Sequence, residues 1–179
     1  MAKGTGRAIA GIITLIIGGT VYSVSQADIV SKFSQETGLS QQEAAQYVEN
    51  IPEEELFSFD ELGAMMISEG EEILSIASEI DCVTYYYEWE TDTLSCEEGK
   101  SQFRRFGDSE IALGEAYQAL SSETASDQDI YTAIRLIDEV NANYNLEIMI
   151  ELLDYSDRDE SIKTNQYNKA LLQAALDSQ

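Results

Sequence analysis

The stretch from Cys82 to Cys96, CVTYYYEWETDTLSC, holds the residues of this chain best suited to specific chemistry. In an oxidising compartment two thiols at this spacing are expected to pair as a Cys82–Cys96 disulfide. Closing a loop of about 15 residues is worth roughly 3 kcal/mol in the chain-entropy account. Between the thiols stand Tyr85, Tyr86, Tyr87 and Trp89. Large rings with one polar atom dominate the energetics of protein interfaces, so these four are the partner-binding candidates. The alternative is that the rings cover the end of a helical bundle and leave only their hydroxyls wet. Val83, Tyr85, Tyr87 and Trp89 alternate with Thr84, Tyr86, Glu88 and Glu90, which fits a small β-hairpin. No glycine or Asn-Gly pair marks its turn.

The remaining reactive groups are mostly carboxylates. The 179 residues include 34 acids against 10 bases, for a net charge of −24, and no histidine. Without histidine, Ser-His-Asp and Cys-His catalysis, histidine-containing zinc sites and Glu-x-x-His iron ligation are excluded. Two cysteines cannot build a four-thiolate site. No catalytic residue, metal ligand or cofactor is therefore assigned. Glycan hydrolysis by two carboxylates needs no histidine, only an acid of raised pKa with a second carboxylate about 5 to 9 Å away. With 34 acids the sequence does not single out such a pair. Asp154, Asp157, Asp159 and Glu160 invite a calcium reading. They lack the glycine and terminal glutamate of an EF-hand at the required positions, and read better as the cap of a last helix. So anionic a surface repels nucleic acid and anionic headgroups. It suits a cationic partner, divalent ions or a high-salt setting. The only adjacent basic pair, Arg104 and Arg105, is expected to find carboxylates within the fold.

The elements that must position these groups begin with an address. Residues 1–7 contain Lys3 and Arg7, and residues 8–24 read AIAGIITLIIGGTVYSV without a charge. As a helix this run would be roughly 25 Å long, at the short end of what spans a bilayer. The basic flank keeps the N-terminus cytoplasmic and sends residues 28–179 out of the cytoplasm. Residues 8–27 are thus expected to be a transmembrane signal anchor. Alternatively they are a signal peptide broken by Gly18-Gly19 and cleaved after Ala27, which would release a secreted domain.

Past the address the pattern is helical. Ile29, Val30 and Phe33 share a face, Gly38 suits a left-handed cap, and Ser40 with Glu43 forms a capping box. The stretch IVSKFSQETGLSQQEAAQYVENI resembles the opening helix-turn-helix of HU-type DNA-bending proteins. That resemblance implies local helix-pair geometry over about 23 residues; the basic strands and arms of those proteins have no counterpart here, and no DNA binding is implied. Pro52 with Glu53 to Glu55 reads as a short helix start. Ser58 and Glu61 open a helix to about Ile80, with Leu62, Met66, Ile73, Ala77 and Ile80 inward. Residues 97–107 read as a linker, followed by a helix capped at Asp108 or Ser109 and ending near Ser122. Ser126 and Asp129 open the next, lined by Ile130, Ala133, Ile134, Ile137 and Val140. Asn141, Asn143 and Asn145 should break it. LEIMIELL, 146–153, reads as a buried helix, and a last helix runs from about Glu160 to Asp177.

The expected fold is all-α: an N-terminal apolar helix, then an irregular multi-helix bundle with one disulfide-stapled loop or small hairpin. The function this best fits is a non-enzymatic, membrane-tethered extracytoplasmic interaction or assembly module. Its acidic, aromatic-bearing surface would meet another protein, and residues 8–24 would meet the membrane. The alternatives are an exported binding protein for cations or a small cationic ligand, and a carboxylate-dependent glycan hydrolase.

Overall fold

The computed structural model describes residues 12–51, 58–82 and 95–178. Two strands come first, β1 (Ile12–Ile17) and β2 (Thr20–Ser25). Seven helices follow: α1 (Gln26–Thr37), α2 (Gln41–Asn50), α3 (Phe59–Glu79), α4 (Cys96–Leu120), α5 (Asp127–Asn143), α6 (Glu147–Leu152) and α7 (Tyr155–Asp177). The fold is mostly helical, as expected, but it is not all-α.

The apolar run is where expectation and structure differ. Its described part is an antiparallel hairpin instead of a helix, with Ile12 opposite Ser25 and Ile17 opposite Thr20. Gly18 and Gly19 make the turn with φ of +58° and +74°, the left-handed values that a tight two-residue hairpin loop requires. Strand-favouring Ile, Val, Thr and Tyr flank them. Alternation then does the sorting. Ile17, Tyr22 and Val24 enter the core, while Ile12, Ile16 and Val21 stay exposed. The Tyr22 hydroxyl donates to Asp127 Oδ1 at 3.1 Å, tying the hairpin to the start of α5. Ser25 ends β2 and caps α1, accepting a hydrogen bond from the Asp28 amide. Ala27 therefore lies in the first turn of a continuous helix. Among the described residues no helix is long and apolar enough to cross a membrane.

Helices α1 and α2 form the expected pair. Gly38 caps α1 at φ 72°, Ser40 and Glu43 complete their capping box, and Phe33 stacks on Tyr47 with centroids 4.8 Å apart. The Pro52 helix start lies outside the described residues.

Helices α3 and α4 form an antiparallel hairpin packed at unusually close range. A Cβ placed on Gly63 would lie 2.5 Å from the Gly114 carbonyl oxygen, and one on Gly70 would lie 2.7 Å from that of Gly107. In each helix the two glycines are seven residues apart, about two turns, so they fall on one face. This explains a second difference from expectation. Residues 97–107 are not a linker, and Asp108 and Ser109 cap nothing. The chain is helical from Cys96, capped by Ser95, with Glu98 completing a capping box. Gly99 and Gly107 disfavour an isolated helix by about 1 kcal/mol each. Contact across the seam, available only in the folded hairpin, offsets that penalty.

The last helix closes the core from the other side. It begins at Tyr155, earlier than expected, so Asp157 sits in the first turn, where an acid complements the helix dipole. Lys169, 8% exposed, links three helices: its Nζ lies 2.7 Å from Glu36 Oε2 on α1 and 2.6 Å from Asp138 Oδ1 on α5. Burial works against the charged forms of both Lys169 and Glu36. Hydrogen bonds prevail, those of Lys169 with Asp138 and Glu36 holding the lysine pKa above its usual value, and those of Glu36 with Lys169 and Gln173 holding the glutamate pKa below its own.

Candidate functional site

The stapled end of the α3–α4 hairpin is the first candidate. Cys82 follows α3, Cys96 opens α4, and the two are joined by a disulfide with Cα atoms 5.6 Å apart. Chain leaving Cys82 must therefore return to the same end of the hairpin. Lys100 adds a second tie there, its Nζ donating to the Ile80 carbonyl at 2.6 Å. The expected disulfide is present. Tyr85, Tyr86, Tyr87 and Trp89 lie outside the described residues, as does the strand pairing expected around them.

Helix α4 carries a second candidate further along its length. Glu110 is 2% exposed, and its Oε1 has no hydrogen-bond partner. It sits in an apolar stripe of Phe103, Phe106, Leu113 and Tyr117, all buried. Burial, and after it the nearby Glu69 charge, raise its pKa to about 8 against the opposing influence of the Tyr144 hydroxyl. At neutral pH the carboxyl is largely protonated. Burial, and the Glu110 charge after it, raise the Tyr144 pKa, so that hydroxyl stays neutral; Ser161 is placed to hydrogen-bond it. Asn143 Nδ2 donates to Ser109 Oγ at 2.9 Å, and Ser109 Oγ donates to the Phe106 carbonyl at 2.7 Å. The Asn143 Oδ1 and Tyr117 hydroxyl atoms are also buried without a partner in hydrogen-bonding geometry. Such incompletely satisfied polar groups are rare in native interiors.

Beside this group lies a cavity of about 260 Å³. Ile73, Phe103, Phe106, Met149 and Leu153 provide apolar walls, while Tyr144, Asp157 and Ser161 provide the polar part. The Phe106 and Tyr144 rings meet edge to face, 4.9 Å between centroids. Tyr144 thus contacts both the cavity and the buried Glu110. Carboxylate hydrolysis would need an acid of raised pKa facing the cavity, and Glu110 is not among its lining residues. The apolar walls leave few groups to hold sugar hydroxyls.

A shallower groove on α4 contains Arg104 and Arg105 with Ser101, Asp108, Ser109 and Glu139. Among the described residues neither arginine makes an ion pair. The described acids also include no group of three that could hold a metal ion.

Glu110 was legible as an anomaly. Positions three, four and seven residues away along the helix carry Phe103, Phe106, Leu113 and Tyr117, so an acid at 110 interrupts an apolar stripe. Treating residues 97–107 as a linker removed half of that stripe from view. Tyr144 and Met149 gave no such signal, because their meeting with Phe103 depends on how α5, α6 and α4 pack. No family model matches this chain, and no curated protein or solved structure matches it either.

Proposed function

We propose that the protein is a non-enzymatic interaction module of an oxidising, extracytoplasmic compartment, and that it meets a partner protein at the stapled end of the α3–α4 hairpin. The observation that carries this reading is the Cys82–Cys96 disulfide, which closes the segment bearing Tyr85, Tyr86, Tyr87 and Trp89 at the base of a close-packed helix pair. Structural disulfides are rare in reducing compartments. A clamped loop loses less entropy on binding than a free one, and its rings are of the type that dominates interface energy. The remaining surface, at a net charge of −24, discourages anionic partners and non-specific association.

The disulfide, not residues 8–24, supports the extracytoplasmic placement. A tether through those residues would have to withdraw Ile17, Tyr22 and Val24 from the core. Fractionation followed by intact-mass analysis tests both points. The proposal expects one oxidised pair, and recovery in the reduced form would remove its basis.

Affinity capture tests the interaction itself. Alanine at Tyr86, Tyr87 and Trp89 together, and separately reduction of the disulfide, should each abolish capture of partners that the parent retains, with helix content unchanged. An identical partner set in all three samples would exclude the loop as the contact surface.

A further inference from the structure

We infer that the cavity between α3, α4, α6 and the start of α7 is a binding site for a small amphipathic amine: an apolar body with one ammonium group. The volume sets the size. At about 260 Å³ it exceeds the 150 Å³ or so that accommodates benzene, and so suits a ligand of about ten non-hydrogen atoms.

The walls set the chemistry. Five of the lining side chains are apolar, and the polar ones gather on the Tyr144 and α7 side. Asp157 and Ser161 are four residues apart on α7, so they lie on one face about a turn from each other. Asp157 is exposed, placing the carboxylate where water enters, and no lysine or arginine lines the cavity. An anion would meet that carboxylate without a compensating cation. A sugar would find too few hydrogen-bonding groups. An ammonium would find Asp157 for charge and two hydroxyl oxygens as acceptors. The aromatic faces of Phe103, Phe106 and Tyr144 favour a cation as well.

Glu110 does not line the cavity and need not touch the amine. The net charge of −24 raises the local concentration of cations at the mouth.

Three probes separate charge from shape: 2-phenylethylammonium, 2-phenylethanol and phenylacetate, titrated into the full-length oxidised protein by calorimetry and by amide and methyl NMR. The amine should bind with a Kd below about 1 mM, with shifts centred on Met149, Leu153 and Tyr144. The alcohol should bind roughly fivefold to tenfold more weakly, and phenylacetate not at all. Asp157→Asn should bring the amine down to the level of the alcohol and leave the alcohol unchanged. Because Asp157 is exposed, this variant keeps the fold. Ser161→Ala should weaken both neutral and charged probes. Equal affinities for amine and alcohol, amine binding indifferent to Asp157→Asn, shifts centred elsewhere, or no heat from any probe would each overturn the assignment.

Discussion

Helix α4 is buried through two kinds of contact built on opposite solutions. Toward α3 it presents Gly107 and Gly114, so two backbones approach without side chains between them. Beside those glycines, three residues after one and four before the other, stands Glu110, with Ser109 and Tyr117 close by in the chain; the Glu110 Oε1 and the Tyr117 hydroxyl remain unpaired. The glycine contact has no polar side chain to satisfy and can be as tight as the backbone permits. The polar group carries desolvation penalties and borders a cavity. A close-packed seam holds α4 in place while the acid beside it stays in an apolar setting.

The largest test of this contrast is at the polar group. Because the Glu110 pKa is raised from 4.5 to about 8, the folded chain holds a proton that the unfolded chain has released between those pH values. Its contribution to stability therefore falls as pH rises through that window and is flat above about 8. The full penalty is on the order of 5 kcal/mol. Glu110→Gln should be more stable than the parent at pH 9 by up to that amount, with the gap closing toward pH 4.5. Urea melts across this range measure it. Parallel pH profiles for the two proteins would place Glu110 in contact with water and remove the contrast.

On the seam, Gly114→Leu should cost about 3 kcal/mol or more, because its Cβ would lie 2.6 Å from the Gly63 carbonyl oxygen. The loss should be independent of pH. A variant that melts like the parent would mean that the helices separate easily. Reducing the disulfide should cost about 3 kcal/mol at most, through the unfolded chain, without changing the pH profile of Glu110. The smallest effect is expected at Gly19→Ala. A Cβ there meets nothing within 4 Å, so only the left-handed φ of +74° is strained, at about 1 kcal/mol. Gly18→Ala should exceed it, since its Cβ would fall 1.9 Å from the Ala125 carbonyl oxygen.

Much of the helical framework was readable residue by residue. Ser40 with Glu43, Ser58 with Glu61 and Ser126 with Asp129 announce helix starts through contacts spanning three residues. Gly38 announces an end, and Asn143 ends α5 within the expected run of asparagines. Local chemistry suffices because each partner is close in sequence. The same reasoning missed Ser95 with Glu98, whose pattern is equally clear, because the glycines after it looked like breakers.

The N-terminal run shows the limit from the other direction. A stretch without charge fits a membrane helix, a cleaved signal or a buried strand pair, and hydropathy does not distinguish them. The environment does: α1 and α7 pack against β2, which carries the buried Tyr22 and Val24, and Asp127 supplies an acceptor for Tyr22. By itself the sequence determined the caps, the charge, the excluded histidine chemistries and the one possible disulfide pair, since each rests on residue identity or short spacing. Only the tertiary structure decided that the described part of the apolar run is a hairpin, that four glycines meet across α3 and α4, and that Glu110 is enclosed beside a cavity. Those outcomes depend on which surfaces meet over long stretches of chain, and the free energy that selects them belongs to the contact.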